Sequence, residues 1–186
     1  MKILFLDHDG VICLSPQWGG RFKNKEGLDL MFDRFDDKAV KVLNKIIEET
    51  DCEIVVSSDW RLFATLEQMQ ELYLIRGILK SPIDYTPLTA DTDVIPDGFT
   101  FDRWEWEVQQ SRCFEIKTWL KRHTEITNWV AVDDMNMSSD YKFEYDSHKQ
   151  LWGLDNFVRT PISNQGIKQT GIKDKIVKIL NQTQNM

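Results

Sequence analysis

Cysteine is scarce: Cys13, Cys52 and Cys113 are the only three in 186 residues, far apart and outside any CxxC or His/Cys ligand spacing. That excludes a disulfide framework and gives no sign of a structural zinc site; unpaired thiols of this kind suit a reducing, cytoplasmic setting. Glycine and proline number nine and five, too few for a fibrous or low-complexity chain. Long apolar runs are missing as well. The early run Ile3-Leu4-Phe5-Leu6 stops at Asp7, too short for a signal-peptide core or a membrane span, so no membrane association is expected. Positive charge is in deficit, with 23 Lys and Arg against 30 Asp and Glu, a net charge of −7 and a pI near 5.0. Such a chain is a poor sequence-independent binder of duplex phosphates, although a local basic patch is compatible with the total.

What is present is enough for one packed domain over residues 1–186: a 21.9 kDa chain that is 41% hydrophobic and 28% charged, within the usual size of a single core. Ile3 to Leu6 reads as a strand buried on both faces, ended by Asp7-His8-Asp9-Gly10. Asp36-Asp37 then lead into Val40, Leu43, Ile46 and Ile47 at helical spacing, predicting a helix over about 37–50. Glu53-Ile54-Val55-Val56 repeats the strand pattern and stops at Ser57-Ser58, after which Leu62, Leu66, Met69 and Leu72 mark a second helix. An irregular insert is expected at about 81–110, punctuated by Pro82, Pro87 and Pro96. Within it Phe99, Phe101, Trp104, Trp106 and Val108 alternate as in a short hairpin. A third helix carries Phe114, Ile116, Trp119 and Leu120 and ends near His123; Trp129 to Val132 forms another buried strand, stopped by Asp133-Asp134. A strand at Phe157-Val158 and a helix through Ile172, Ile176 and Leu180 close the chain. Alternating buried strands and amphipathic helices predict an α/β fold, a doubly wound three-layer Rossmann-like parallel sheet, and in such sheets ligands bind at the carboxyl ends of strands.

The strand ends are where the chemistry gathers. Residues two apart project to one side of an extended chain, so Asp7 and Asp9 face one pocket and His8 turns away. Asp133 and Asp134 bring further carboxylates there if the strands are neighbours. At about 4 Å and an effective dielectric near 20, each like-charge pair costs roughly 4 kcal/mol, so the pocket calls for a cation. Carboxylates without His or Cys partners point to Mg2+.

These motifs, in this order, resemble those of the haloacid dehalogenase (HAD) superfamily. Leu4-Phe5-Leu6-Asp7-His8-Asp9-Gly10-Val11 is similar to its first motif, Ile54-Val55-Val56-Ser57 to its second, and Val130-Ala131-Val132-Asp133-Asp134 to its fourth. Ser57-Ser58-Asp59-Trp60-Arg61, Tyr85-Thr86-Pro87, and the stretch from Arg112 through Glu115-Ile116 to Trp119-Leu120 resemble the HAD domains of Swiss Army Knife RNA repair proteins. The resemblance implies a Mg2+-dependent phosphomonoester hydrolase. Asp7 would be the nucleophile that becomes an aspartyl-phosphate, and Asp9 the acid that protonates the leaving oxygen and then activates water. The metal would be held by Asp7, by the backbone carbonyl of Asp9 and by Asp134, with Asp133 as support. Ser57 and the amide of Ser58 would hold phosphoryl oxygens. The family's third motif is a cation on the helix before the fourth strand; Arg112, near the start of that helix, is chosen over Lys117.

Plainer readings stand beside these. Asp-x-Asp-Gly also suits an ordinary turn, Ser57 suits a helix cap, Arg112 suits an exposed helix face, and tryptophans are more often core than recognition platforms. His123 and His148 lack acidic or thiol partners at ligand spacing. Fewer than thirty residues separate Gly10 from the first helix, room for a flap at about 12–36 but not a large cap, which leaves the pocket open to a small phosphorylated molecule, a nucleotide or a nucleic acid end. Arg21, Lys23 and Lys25 would steer a polyanion, and Trp104 or Trp106 would stack on a base. No obligate protein partner is evident. The rivals are a phosphorylatable receiver-like signalling domain and a catalytically silent HAD-fold binding module.

Overall fold

The computed structural model describes residues 1–14, 35–88, 104–140 and 153–182, and for 104–110 the backbone alone. Five strands, β1 (Lys2–Leu6), β2 (Glu53–Val56), β3 (Asp84–Tyr85), β4 (Asn128–Asp133) and β5 (Phe157–Arg159), form one parallel sheet in the order β3-β2-β1-β4-β5. Among the described residues four α-helices accompany it: α1 (Asp37–Thr50), α2 (Leu66–Ile75), α3 (Trp104–Arg122) and α4 (Ile172–Asn181). The α/β, Rossmann-like reading therefore holds. The order reverses at β1, which lies between β2 and β4, and such a switch point is where doubly wound sheets bind ligands.

Strand alternation sorts the side chains into two layers. Leu4, Leu6, Ile54, Val56, Val130 and Val132 pack with α1, α2 and α4, including Leu43, Ile46, Met69, Tyr73, Ile176 and Leu180. Ile3, Phe5, Val55 and Ala131 pack on the other side with Cys113, Ile116 and Trp119 of α3. Helix starts are fixed locally: Asp36 caps α1 by accepting from the Ala39 amide at 2.8 Å, and Thr65 with Gln68 forms a reciprocal capping box on α2. None of the described helices is long and apolar enough to cross a membrane.

Three expectations change. The second helix does not run on from Leu62: Asp59–Leu62 is a separate 3-10 turn, and α2 begins only after the Thr65 cap. The hairpin expected through Trp104, Trp106 and Val108 is instead the first part of α3. Trp104 and Val108 are four apart, so the same letters that alternate also fit one side of a helix. Strand β3, two residues long at the sheet edge, lies inside the stretch read as an irregular insert. Phe99, Phe101, Arg21, Lys23, Lys25, His148 and most of the expected flap fall outside the described residues, as do the side chains of Trp104 and Trp106.

Candidate active site

Register alone sets up the site. Leu6 pairs with Val56 of β2 and Val132 of β4, so the next residue on each strand, Asp7, Ser57 and Asp133, stands in one row at the carboxyl edge. The ladder continues through them: the Asp7 amide donates to the Val132 carbonyl at 3.1 Å and the Ser57 amide to the Leu6 carbonyl at 2.9 Å. Asp7, Ser57 and Asp133 continue the face of Phe5, Val55 and Ala131, the face that α3 covers.

Across that row, α3 places Arg112 one turn ahead of the buried Ile116 and Trp119, so the guanidinium enters on the helix's inward face. Its Nη1 lies 2.8 Å from Asp133 Oδ2 and 3.0 Å from Asp7 Oδ1, and its Nη2 lies 3.3 Å from Asp59 Oδ1. Asp7, Asp133 and Arg112 are all buried, whereas Asp59 is exposed. One carboxylate oxygen from each of Asp7, Asp133 and Asp134 comes within 4.8 Å of the others. Gly10 makes this approach feasible. Its φ is +71°, and a Cβ there would stand 2.3 Å from Asp134 Oδ2, so a side chain would be strained and would displace the carboxylate.

The electrostatics follow from burial. Loss of water pushes the Asp7 carboxyl well above the usual carboxylate range; Arg112 opposes the shift, and the charges of Asp133 and Asp134 add to it. Burial and the neighbouring Asp133 push the Asp134 carboxyl up to about 6. Burial alone would lower the Arg112 pKa, but the charges of Asp7 and Asp133 more than offset it, so the guanidinium stays protonated. Asp133 is fully engaged, with Oδ2 on Arg112 and Oδ1 accepting from the Met135 amide at 2.8 Å. Asp7 Oδ1, despite the nearby Arg112, has no aligned hydrogen-bond donor among the described residues, and the buried Ser57 hydroxyl has no hydrogen-bond partner there either. Buried polar atoms are rarely left so. Three hard carboxylates with one oxygen each within ligand reach of the others fit a Mg2+ ion.

The remaining candidates divide. Ser58 is buried beside the row. Asp9 is exposed and its carboxylate stands outside the three-carboxylate group; its Oδ2 accepts from the Trp60 indole N–H at 2.9 Å. His8 turns to the opposite face, as alternation requires, where its Nε2 meets the Tyr73 hydroxyl at 2.7 Å. Burial, aided by the Arg112 charge, holds His8 down to about 3, so the ring is neutral. Lys117 lies more than a turn beyond Arg112 on α3. His123 is half-buried and stacks on Trp119 at 3.7 Å between ring centroids.

Sequence reasoning attached no role to Trp60, Asp59, Arg61 or Glu115. The Arg61 guanidinium bonds Thr86 and meets Glu115 at 2.6 Å, both partners of this ion pair being almost wholly buried. Together with Arg112, one turn earlier, Glu115 fastens α3 to the loop after β2. The legible signal was Asp59-Trp60-Arg61 directly after a strand-ending Ser57-Ser58, since polar residues in that position face the ligand crevice.

A family model described as the HAD domain in Swiss Army Knife RNA repair proteins matches residues 3–157, from β1 into β5. The curated proteins and the solved structures yield no match.

Proposed function

Because the chain belongs to the family of HAD domains in Swiss Army Knife RNA repair proteins, a phosphatase-type hydrolase fold, we propose that it hydrolyses phosphomonoesters through an aspartyl-phosphate on Asp7. The observation that carries this reading is the meeting of Asp7, Asp133 and Asp134 at the switch point with Arg112 laid between two of them. Asp7, Asp134 and the backbone carbonyl of Asp9 would hold Mg2+, with Asp133 supporting from its bonds to Arg112 and the Met135 amide. Bound there, the ion supplies charge neutralisation that lets carboxylate and phosphoryl oxygens approach.

The chain's own groups then divide the work. An oxygen of Asp7 attacks phosphorus as the bond to the leaving oxygen breaks, and Asp9 gives that oxygen its proton. Water next attacks the phosphorus of the aspartyl-phosphate and loses its proton to Asp9, which releases inorganic phosphate and restores both carboxyls. The Ser57 hydroxyl and Ser58 amide bind phosphoryl oxygens. Arg112 Nη2, whose partner Asp59 is exposed, exchanges that carboxylate for a phosphoryl oxygen.

We favour a nucleotide or a nucleic acid phosphate end as substrate, in line with the RNA-repair family, on a single domain spanning 1–186 with a flap at about 12–36 in place of a large cap. The three cysteines are buried free thiols, in keeping with a cytoplasmic protein. A receiver-like signalling domain is disfavoured by strand order, since such domains use 2-1-3-4-5 rather than the 3-2-1-4-5 seen here.

The test is phosphate release from sugar phosphates, mononucleotides, and RNA and DNA ends, with Mg2+ and with chelator. Turnover is expected with Mg2+ only, and Asp7→Asn is expected to fold yet lose several orders of magnitude in rate, given the size of the barrier to monoester hydrolysis. Near-normal turnover by that variant rejects the covalent scheme; no turnover by the native chain, with Mg2+ still bound, supports a silent binding module.

A further inference from the structure

Trp60 is 2% exposed, and an indole carries one hydrogen-bond donor, which a buried ring must place somewhere. Here it is placed on Asp9: Nε1 donates to Oδ2 at 2.9 Å. The ring itself cannot swing, since it packs between His8, at 4.8 Å between centroids, and Phe35, at 5.5 Å. His8 is in turn held by Tyr73, whose hydroxyl meets Nε2 at 2.7 Å. Asp9, by contrast, is exposed, and exposed carboxylates ordinarily wander among rotamers. Its backbone is fixed separately: the His8 carbonyl accepts the amides of Val11, Ile12 and Cys13 at 3.2, 3.0 and 2.7 Å, winding the loop around the strand end. Among the described residues no side chain bonds Oδ1 of Asp9.

We propose that Trp60 is a positioning residue which pins Asp9 through Oδ2 and so assigns Oδ1 as the oxygen that carries the proton in phosphoryl transfer. This rests on the phosphatase reading above. An oxygen that already accepts an N–H bond presents less of its lone-pair density to a proton, so the acid form carries its hydrogen on Oδ1. In the first half-reaction that O–H bond breaks and its proton goes to the leaving oxygen as the phosphorus–oxygen bond to it breaks and the bond to Asp7 forms. In the second, Oδ1 takes a proton from the attacking water, and the phosphorus–oxygen bond to Asp7 breaks. Trp60 exchanges no proton in either.

The role predicts a dependence on the leaving group that packing alone does not. An alkoxide leaves poorly and needs its proton, whereas p-nitrophenolate leaves well without one. The term kcat/KM covers only the steps up to phosphoenzyme formation, so it isolates the acid. Two variants remove the donor: Trp60→Phe, and replacement of Trp60 by 3-benzothienyl-alanine, which keeps the bicyclic shape and guards against simple loss of packing. With the full chain and Mg2+, kcat/KM for glycerol phosphate should fall by about 10-fold or more in both, against under about 2-fold for p-nitrophenyl phosphate, a fraction of what general acid catalysis supplies. KM should change little for either ester. Asp9→Asn should show the same selective pattern, more deeply.

Equal losses on the two esters, or no loss from the benzothienyl replacement, overturn the proposal while the phosphatase reading stands. A native chain that turns over neither ester nor any mononucleotide, RNA end or DNA end, or an Asp7→Asn variant that keeps the native turnover, overturns the phosphatase reading and this proposal with it.

Discussion

Two faces of one sheet are built from the same strands and do different things. On the side of α1, α2 and α4, alternate residues of β1, β2 and β4 enter a layer of Leu, Ile, Val and aromatic side chains, where a fully buried side chain contributes about 1.5–3 kcal/mol. On the side of α3 the layer begins the same way, with Ile3, Phe5, Val55 and Ala131. At the carboxyl edge it gives way to Asp7, Ser57, Asp133 and Arg112, with the Arg61–Glu115 pair alongside. A single step along the chain crosses from one regime to the other: Asp7 points at Arg112, and His8 points at Tyr73 and is neutral. Charges taken out of water recover little net stability even when paired. One face can therefore carry the fold while the other holds repelling carboxylates and a Ser57 hydroxyl that has no hydrogen-bond partner among the described residues.

Arg112→Met breaks this division most sharply, because it deletes the cation that lies between Asp7 and Asp133. Phosphatase turnover should drop by about 100-fold or more, the size of effect seen when a transition-state donor is removed. Urea unfolding should show a loss of about 3 kcal/mol, the consequence of leaving buried carboxylates uncompensated. The opposite face supplies the counterpart. Leu43 is fully buried between α1 and the sheet, and Leu43→Ala should cost about 2–5 kcal/mol with kcat per folded molecule unchanged. Were Leu43→Ala to lower kcat while Arg112→Met left it intact, the assignment of fold to one face and chemistry to the other would fail.

Much of both faces could be read from the chain. Strands β1, β2 and β4 are apolar runs buried on both sides, and α1 and α4 carry clear helical stripes through Val40 to Ile47 and Ile172 to Leu180. The strand-ending acids and serines were visible for the same reason: a polar residue closing a wholly apolar run marks the sheet edge. What escaped depended on tertiary pairing or on short length. Strand β3 has two residues, too few for any period. The start of α3 was masked because aromatic residues at every second position satisfy a strand and a helix alike over five residues. The break at Ala64 and the Thr65 cap cut the stripe from Leu62 to Leu72 that periodicity had joined. The bonds Trp60 to Asp9 and Arg61 to Glu115 span 51 and 54 positions, and no local pattern announces a partner so remote.

The smallest predicted effect separates a surface charge contact from the buried ones. Asp36 caps α1 through Oδ1 and accepts from Lys168 Nζ on Oδ2 at 2.9 Å, with both side chains partly exposed. Partial burial works to raise the Asp36 carboxyl, but the hydrogen bonds from Lys168 and the Ala39 amide outweigh it and hold the group below its usual range. A carboxyl whose folded value is depressed binds its proton more readily when unfolded, so its contribution is complete above the unfolded value of about 3.9 and is lost as pH falls through the lower folded value. Asp36→Ala should therefore cost about 1 kcal/mol at neutral pH, the ordinary worth of such a cap. The unfolding curves of variant and native chain should converge in strong acid. High salt should narrow the gap at neutral pH by screening Lys168, while the stability difference for Arg112→Met, set in a water-excluded site, should respond far less. A gap for Asp36→Ala that stayed constant through acid and salt would mean that the carboxylate's charge contributes nothing, and that the cap acts only through its hydrogen bond to the Ala39 amide.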